Sequence, residues 1–368
     1  MKIILIASDI FFKGGIQRYT RYQYRALTEI FGKENVFLYS FKRKEKESAF
    51  EDDINVYYVE NYEGIGGKIN FTLKILKDIV RLKPSLLLIN HVNLAPIGML
   101  IKKTFKIPYY LNVYGLEIWS GLSKLKIISI YNANKIIGDC KFILNYINEN
   151  LKIEKNRLFL LYDPVDTERF APKSKNRYLL DKYNIPDDKF KILTVGRLDR
   201  FKGHSLIIES LQYLPEDIIY LIVGSGKIET DLKQKVKKMG LENRVIFTDR
   251  VSESELVEFY NLCDVFVLIS KFGKGEGEGL PLTPIEAASC CKPIIVGNED
   301  GSKEAVIDGY NGFIIEPDNI ENLVEKILYL YKNSEISKKI GLNGRNYVTK
   351  NFGYKMFRQR IEEIISQC

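Results

Sequence analysis

The sequence has few of the residues from which metal and redox sites are built. Its 368 residues include two histidines, His91 and His204, and five cysteines, none of them in a Cys-x-x-Cys pair. No Asp-x-Asp motif occurs, so the usual carboxylate signature of a Mg²⁺ or Mn²⁺ site is missing as well. We therefore expect no metal site and no cofactor. The cysteine usage favours a reducing, cytoplasmic setting.

Long apolar runs are missing too. No stretch approaches the roughly 18 residues that a membrane-spanning helix needs. Residues 1–10 contain a short apolar patch interrupted by Asp9, which predicts a buried first strand and not a signal peptide. A chain of this length with 45% hydrophobic residues is expected to fold into two domains.

Positive charge is concentrated in the first half of the chain. Residues 1–170 contain 26 Lys and Arg against 18 Asp and Glu, a net charge of +8, whereas the remainder contains 29 of each kind. We expect this excess to meet an anionic membrane surface, through residues 42–44, Lys68, Lys74, Lys77, Arg81, Lys102, Lys103 and Lys106. A non-enzymatic basic binding protein is the alternative, but no basic stripe interleaved with aromatics indicates nucleic-acid binding.

Short apolar runs alternate with helical patterns along the whole chain, which predicts an α/β fold. Asp163-Pro164 and Ala171-Pro172 mark a linker. We predict two doubly wound, Rossmann-like domains that face a central cleft: residues 1–168 and residues 172–350. A terminal helix within residues 354–368 is expected to pack back on the first domain.

Residues 265–296 contain the most informative pattern: a strand, a glycine-rich loop, a helix over residues 280–291 and a second strand. This order places backbone N–H groups and a helix N-terminus at the carboxyl edge of a parallel sheet, where anions bind. Glu278 and Glu286 bracket the start of the helix. Since carboxylates repel phosphate, sugar hydroxyls are their natural partners, and a nucleotide sugar fits both features. An ordinary glycine turn beside solvated glutamates is the alternative.

A second candidate anion site lies at the start of the chain. Gly14 and Gly15 separate the first strand from a helical pattern over residues 16–30. A dinucleotide-dependent oxidoreductase would carry Gly-x-Gly-x-x-Gly here, and residues 9–16 lack it.

The motifs in their order resemble the retaining glycosyltransferases of the GT-B fold, specifically family 4 (glycosyl transferases group 1). The resemblance covers most of the chain and rests on GGIQRYT at Gly14, YDPVDTERFAP at Tyr162, VGRLDRFKG at Val195, LIVGSG at Leu221, NRVIFTDRVSESEL at Asn243, EGLPLTPIEA at Glu278 and GSKEAVIDGYNGFIIEP at Gly301.

The resemblance implies a role for each matching residue. In the second domain the matching residues bind the donor: Arg197 and Lys202 its diphosphate, Glu286 the ribose, Arg250 and Val251 the base, and Glu278, Gly279 and Leu280 the transferred sugar. In the first domain, Gly15 approaches the diphosphate, while Gly14, Tyr114 and Glu117 lie on the acceptor side. The catalytic candidates are Arg197, Lys202, Glu278 and His91.

Two departures from the family pattern bear on these roles. Many members carry a histidine where Tyr114 stands, and a phenol cannot replace an imidazole near neutral pH. His91, which follows a predicted buried strand, is the candidate substitute. The loop before Glu278 is also longer than usual, so that Glu276 competes with Glu278 for the sugar.

The resemblance implies a metal-independent transferase that moves a hexose from a UDP- or GDP-sugar to an acceptor hydroxyl with anomeric retention. We expect a glycan or lipid-linked acceptor in cell-surface polysaccharide, lipopolysaccharide O-antigen, capsule or glycolipid assembly. The expected location is the cytoplasm, peripherally on the inner face of the cell membrane. A nucleotide-sugar epimerase of the same fold is the nearest alternative.

Overall fold

The computed structural model describes residues 1–11, 14–42, 54–60, 64–273 and 275–366. The strands are β1 (Ile3–Asp9), β2 (Val36–Lys42), β3 (Val56–Val59), β4 (Leu86–Ile89), β5 (Tyr109–Val113), β6 (Lys135–Gly138), β7 (Leu158–Leu160), β8 (Phe190–Val195), β9 (Ile218–Val223), β10 (Val245–Phe247), β11 (Val265–Leu268), β12 (Ile294–Gly297) and β13 (Gly312–Ile315).

The α-helices follow the strands in regular alternation. They are α1 (Gly15–Phe31), α2 (Gly64–Leu82), α3 (Ala95–Phe105), α4 (Leu116–Trp119), α5 (Lys124–Asn132), α6 (Lys141–Leu151), α7 (Arg177–Lys182), α8 (His204–Ser210), α9 (Glu229–Lys238), α10 (Glu253–Leu262), α11 (Leu282–Ser289), α12 (Ile320–Lys332), α13 (Ser334–Phe352) and α14 (Tyr354–Ser366).

The chain divides into two compact units. Unit 1 comprises Met1–Pro164 and Tyr354–Cys368, and unit 2 comprises Val165–Gly353. In unit 1 the described strands form a parallel sheet in the order β3-β2-β1-β4-β5-β6-β7. In unit 2 the order is β10-β9-β8-β11-β12-β13, again with parallel pairs. The predicted α/β class with two doubly wound sheets is confirmed.

Each sheet has one point at which the strand order reverses direction. In unit 1 it lies between β1 and β4, and in unit 2 between β8 and β11. The crossover helices on the two sides of that point cover opposite faces of the sheet, because parallel connections are right-handed. A crevice is therefore left outside the carboxyl ends of the two central strands, where doubly wound sheets bind their ligands.

The last helix, α14, belongs to unit 1. Its apolar residues Phe357 and Ile361 are buried in one core with Ile3 and Leu27. The Lys135 ammonium group, buried at the start of β6, donates a hydrogen bond to the Ile364 carbonyl (2.6 Å). Apolar burial and a satisfied buried charge thus fix the end of the chain to the first sheet.

Buried amides tie α1 to the central strands of unit 1. Asn112 on β5 donates to Gln23 on α1 (3.1 Å) and to Asn90, and Asn90 donates to Thr20 (3.0 Å). All four side chains are buried. Because buried amides are costly unless their hydrogen bonds are made, this network fixes the ends of β4 and β5, and hence the residues that follow them.

The glycine-rich segment differs from its prediction at the helix. Residues 280–291 were expected to be helical, whereas α11 spans Leu282–Ser289, and Pro281 is its extended N-cap residue. Proline has no N–H to donate and fixes its own φ, which favours a position at the helix start. Among the described residues, no helix combines the length and the apolar character needed to cross a bilayer.

Candidate functional site

The loops that follow β8 and β9 pack tightly together in unit 2. Gly224 has φ +137°, and a Cβ atom there would lie 1.9 Å from the Gly196 carbonyl oxygen. A Cβ at Gly203 (φ +76°) would lie 2.3 Å from the Ile269 carbonyl oxygen. Only glycine permits both the left-handed backbone and the close approach. The glycines therefore bring the ends of β8, β9 and β11 together.

Lys202 and Glu278 form an ion pair at this switch point, with Lys202 Nζ 2.6 Å from Glu278 Oε1. The lysine side chain is only 8% exposed, and the glutamate side chain 22%. Gly196 faces the same ammonium group, since a Cβ there would lie 3.3 Å from Lys202 Nζ. A cation thus sits in a low-dielectric environment at the carboxyl ends of the strands, fixed in position by its carboxylate partner.

Arg197 lies one residue beyond Gly196 and is largely exposed. Its Nη1 is 3.5 Å from Asp199 Oδ2, and 62% of its side chain is accessible. A second exposed arginine, Arg250, donates through Nε to Ser225 Oγ (3.0 Å) and so connects the loops after β9 and β10. Val251, the next residue, is half-buried.

Two of the predicted carboxylates lie in different surroundings. Glu286 on α11 is buried, and its Oε2 accepts a hydrogen bond from the Tyr260 hydroxyl of α10 (2.7 Å). Glu276 is exposed, in a tight turn whose backbone bonds to Gly273. Glu278 is therefore the residue of the pair Glu276 and Glu278 that points at the Lys202 cation.

In unit 1, the predicted glycines begin α1. Gly14 is its N-cap residue, without a capping side chain, and the first turn contains no acidic residue. A Cβ at Gly15 would have no described atom within 4 Å. The free N–H groups and the helix dipole favour an anion at such an end.

Tyr114 and Glu117 form a compact turn after β5. Glu117 Oε1 accepts a hydrogen bond from the Tyr114 N–H (2.7 Å), and Gly115 between them has φ +136°. Burial raises the pKa of the Glu117 carboxyl above its ordinary value, although backbone N–H groups oppose the rise. Burial likewise raises the pKa of the Tyr114 phenol well above its ordinary value. The ring of Tyr114 meets Tyr19 edge-on (centroids 5.3 Å apart).

His91 follows β4, the neighbouring strand. Its Nδ1 accepts a hydrogen bond from the Asn93 N–H (3.1 Å), which assigns the ring proton to Nε2. Burial, together with the positive charge of Lys126, lowers the pKa of His91 to about 4. The imidazole is therefore neutral at neutral pH and offers one N–H donor.

Three buried polar residues near these strand ends, Tyr260, Ser270 and Asp300, were not predicted from the sequence. Asp300 lies after β12 and is fully buried, and its Oδ1 accepts from the Ser302 N–H (2.8 Å). Asp300 Oδ2 and Ser270 Oγ have no hydrogen-bond partner among the described residues. No sequence pattern distinguishes these residues, because their burial depends on the tertiary fold.

Comparisons with known proteins identify the family of the chain. Residues 177–347 match the family model described as glycosyl transferases group 1. The glycosyltransferase MJ1178 of Methanocaldococcus jannaschii is 30% identical over 308 residues, which cover 82% of this chain and 80% of the relative. A second relative, from Mycolicibacterium smegmatis, is the GDP-mannose-dependent alpha-(1-6)-phosphatidylinositol monomannoside mannosyltransferase. It is 27% identical over 209 residues, which cover 55% of this chain and 54% of the relative.

The structure of Anabaena Alr3699/HepE in complex with UDP superposes with a TM-score of 0.83 at 17% identity, with both chains fully covered. The fold is therefore that of the GT-B glycosyltransferases. With the match to MJ1178, the chain belongs to the glycosyl transferases group 1 family. The predicted family is confirmed, whereas the roles of individual site residues remain predictions.

Asp300 provides a test of the site's electrostatics. Burial raises the pKa of Asp300 to about 7; hydrogen bonds from Ser302 oppose the rise, the Glu278 charge adds to it and the Lys202 charge opposes it. Since the folded-state pKa lies above the unfolded value of about 3.9, the folded protein holds an extra proton, and stability falls as pH rises from about 4 through 7. Asp300→Asn removes the titrating carboxyl group and with it this dependence of stability on pH. We expect the stability of the variant relative to the wild type to grow by about 2–3 kcal/mol between pH 5 and pH 8. Urea unfolding at both pH values measures it, and a difference independent of pH would contradict it.

Proposed function

We propose that the protein transfers a hexose from a UDP- or GDP-sugar to an acceptor hydroxyl, without a metal ion and with retention of anomeric configuration. The observation that carries this proposal is the ion pair between the buried Lys202 and the partly exposed Glu278 at the switch point of unit 2. A fixed cation at the carboxyl ends of parallel strands suits a diphosphate. The carboxylate beside it suits the hydroxyl groups of the sugar.

In the proposed reaction the bond between sugar C1 and the phosphate oxygen breaks, and its electron pair stays on that oxygen. Lys202 and Arg197 stabilise the negative charge that develops there. The ammonium group of Lys202 is already held by Glu278, so little reorganisation is needed when the charge appears. Gly279 and Leu280 contact the sugar, Glu286 holds the ribose, and the backbone at Arg250 and Val251 meets the base.

The acceptor oxygen then bonds to C1 on the face that the diphosphate leaves, and the acceptor's proton passes to the departing phosphate oxygen. This route needs no protein base. Within the described ranges, no group of three or more His, Cys, Asp and Glu side chains could hold a metal ion, which supports charge neutralisation by side chains. In unit 1, Gly15 approaches the diphosphate, Gly14, Tyr114 and Glu117 lie on the acceptor side, and His91 donates a hydrogen bond through Nε2.

The relatives support the choice of donor and acceptor. HepE binds UDP, and the mycobacterial relative is GDP-mannose-dependent and acts on a phosphatidylinositol mannoside. We propose a lipid-linked or glycan acceptor for this chain as well, in cell-surface polysaccharide, O-antigen, capsule or glycolipid assembly. The enzyme would act in the cytoplasm at the inner face of the membrane.

A surface of unit 1 supports attachment to an anionic membrane. The helices α2, α3 and α5 enclose an open apolar groove of about 480 Å³, lined by Ile69, Leu73, Leu76, Ile97, Leu100 and Leu125. Four of the apolar lining residues are more than half exposed to solvent: Ile65, Ile69, Leu73 and Leu125. We call this surface the α2–α3–α5 face.

The helices α2, α3 and α5 carry a strongly positive charge. Their basic residues are Lys68, Lys74, Lys77, Arg81, Lys102, Lys103, Lys124 and Lys126. Of these, Lys68 and Lys126 line the groove. The acidic residue of α2, Asp78, is buried and lies 2.7 Å from the Lys74 ammonium group. Exposed apolar side chains beside basic residues suit the interface of an anionic bilayer, where each basic residue contributes about 1 kcal/mol. Of residues 42–44, which the sequence predicts to meet the membrane, Arg43 and Lys44 lie outside the described residues.

The diphosphate site is tested at Arg197. Because this side chain is largely exposed, its loss should leave the fold intact, unlike the loss of the buried Lys202. Arg197→Ala should lower turnover by about two to three orders of magnitude, as expected for one preorganised charge-stabilising group. Arg200→Ala is the matched control: Arg200 lies in the same loop and is 83% exposed. Similar turnover in the two variants would contradict the assignment of Arg197 to the diphosphate site.

The mechanism is tested by the product and by chelation. An α-linked donor should give an α-linked product, visible in the anomeric proton signal by NMR. Turnover should survive excess EDTA, because the phosphate charge is met by lysine and arginine side chains. A β-linked product would contradict retention, and loss of turnover that Mg²⁺ or Mn²⁺ restores would contradict metal independence.

Membrane attachment is tested by vesicle co-sedimentation. The wild type should bind vesicles that contain anionic lipid, and should bind neutral vesicles weakly or not at all. Binding to the anionic vesicles should weaken at high salt, because ions screen the attraction. The double variant Lys68→Glu with Lys77→Glu should lose most of the binding, because each lost basic residue removes about 1 kcal/mol of binding free energy. The control, Lys237→Glu with Lys238→Glu on α9, makes the same change in net charge on unit 2. Equal loss in both double variants would show that only net charge matters.

A further inference from the structure

The groove of the α2–α3–α5 face has the form of a binding site for one molecule. Its volume of about 480 Å³ lies within the range of small-molecule sites, roughly 300–1,000 Å³. Its lining includes Leu73 and Leu125, which are 58% and 53% exposed. Exposed apolar side chains around a concavity are typical of sites that bind an apolar ligand. A flat membrane surface would cover this groove, whereas a hydrocarbon chain can fill it.

The lining of the groove also carries positive charge. Its polar residues are Lys68 and Thr72 on α2, Asn93 after β4, and Ser123 and Lys126 at the start of α5. None of the described residues that line the groove is acidic. Ser123 is the N-cap residue of α5 without a capping hydrogen bond from its side chain, and the first turn of α5 contains no acidic residue. Two ammonium groups and a hydroxyl group thus border an apolar surface, which suits an anionic amphiphile.

The groove adjoins a residue predicted for the reaction. Asn93, which lines the groove, donates its backbone N–H to His91 Nδ1 (3.1 Å). His91 follows β4, one of the two strands at the switch point of unit 1. Doubly wound sheets bind their ligands outside the carboxyl ends of these strands. A molecule in the groove therefore lies beside the part of unit 1 where an acceptor is expected.

Charge and shape decide between the possible occupants. A second copy of this chain would bring the same basic helices face to face, and like charges repel. An amphiphile with a phosphate group has the complementary charge: the phosphate accepts hydrogen bonds from Lys68 and Lys126, and the hydrocarbon chain displaces water from Leu73 and Leu125. One groove accommodates one chain, whereas a diacyl lipid would leave its second chain outside.

We propose that this groove binds the lipid part of the acceptor, a single hydrocarbon chain joined to the acceptor glycan through a phosphate or diphosphate group. The chain packs on Leu73 and Leu125, and the ammonium groups of Lys68 and Lys126 bind the phosphate. This inference rests on the proposed function, because it takes the lipid to be the acceptor of that transferase. It adds the chemical class of the acceptor and a site that recognises it apart from the bilayer.

The test uses farnesyl diphosphate, a single chain that ends in a diphosphate, below its critical micelle concentration. UDP and GDP are added in excess, so that the proposed donor site of unit 2 is occupied. Isothermal titration then gives Kd for the wild type, Leu73→Asn and Lys126→Gln. We expect each variant to weaken binding about ten-fold, through lost apolar burial in the first and a lost charge-assisted hydrogen bond in the second. Inorganic diphosphate and dihexanoyl phosphatidylinositol should each bind the wild type at least about ten-fold more weakly than farnesyl diphosphate.

Val80→Asn and Lys77→Gln are the matched controls. Both residues are exposed on α2 and do not belong to the groove lining, so neither variant should change Kd. A wild type that does not bind farnesyl diphosphate, or equal weakening in the control variants, would overturn the proposal. Reduced vesicle binding by Leu73→Asn with an unchanged Kd would also overturn it, because the groove would then contact the bilayer alone. Equal affinity for the diacyl lipid would contradict the single chain. Turnover of nucleotide sugars tests the proposed function separately, and none of these outcomes contradicts it.

Discussion

The site in unit 2 depends on keeping one lysine charged inside the protein. Moving an ammonium group out of water costs several kcal/mol, and a carboxylate at hydrogen-bond distance offsets much of this cost. Glu278 provides that carboxylate at 2.6 Å from Lys202. Replacing Glu278 would leave the buried ammonium group of Lys202 without compensation, so the position of the cation depends on its partner. In the proposed mechanism, this pair holds the cation in position for the leaving diphosphate.

The glycines of the neighbouring loops follow from the same requirement. A side chain at Gly196 would press on the Lys202 ammonium group, and one at Gly224 would collide with the Gly196 carbonyl. The backbones of the two loops therefore pack directly against each other around Lys202. This packing leaves little space for water near the ammonium group. Because this packing requires glycine, it leaves glycines after β8 and β9 in the sequence, and the loops could be predicted from them without a structure.

Packing that uses no apolar side chain escaped prediction. The spacing of apolar residues 16–30 predicted α1 within one residue at each end. Helix α13 was not predicted, since its buried face includes Gly341 and Gly344, which contribute no hydrophobic signal. Gly341 packs directly on the Cys291 carbonyl, where a Cβ would lie 2.0 Å away. A similar limit hid Tyr260, since only the tertiary fold brings its phenol to the Glu286 carboxylate.

The two units differ in the charge that their candidate residues carry. Unit 2 presents the cations Lys202 and Arg197. In unit 1, burial lowers the pKa of His91 to about 4 and raises that of the Tyr114 phenol, so that both are neutral at neutral pH. A histidine with so low a pKa is a weak proton acceptor, and efficient acid–base catalysis needs a pKa near the working pH. His91 therefore suits a hydrogen-bonding role and not that of a base. This supports the proposal that the departing phosphate takes the acceptor's proton, since the phosphate gains basicity as the glycosidic bond breaks.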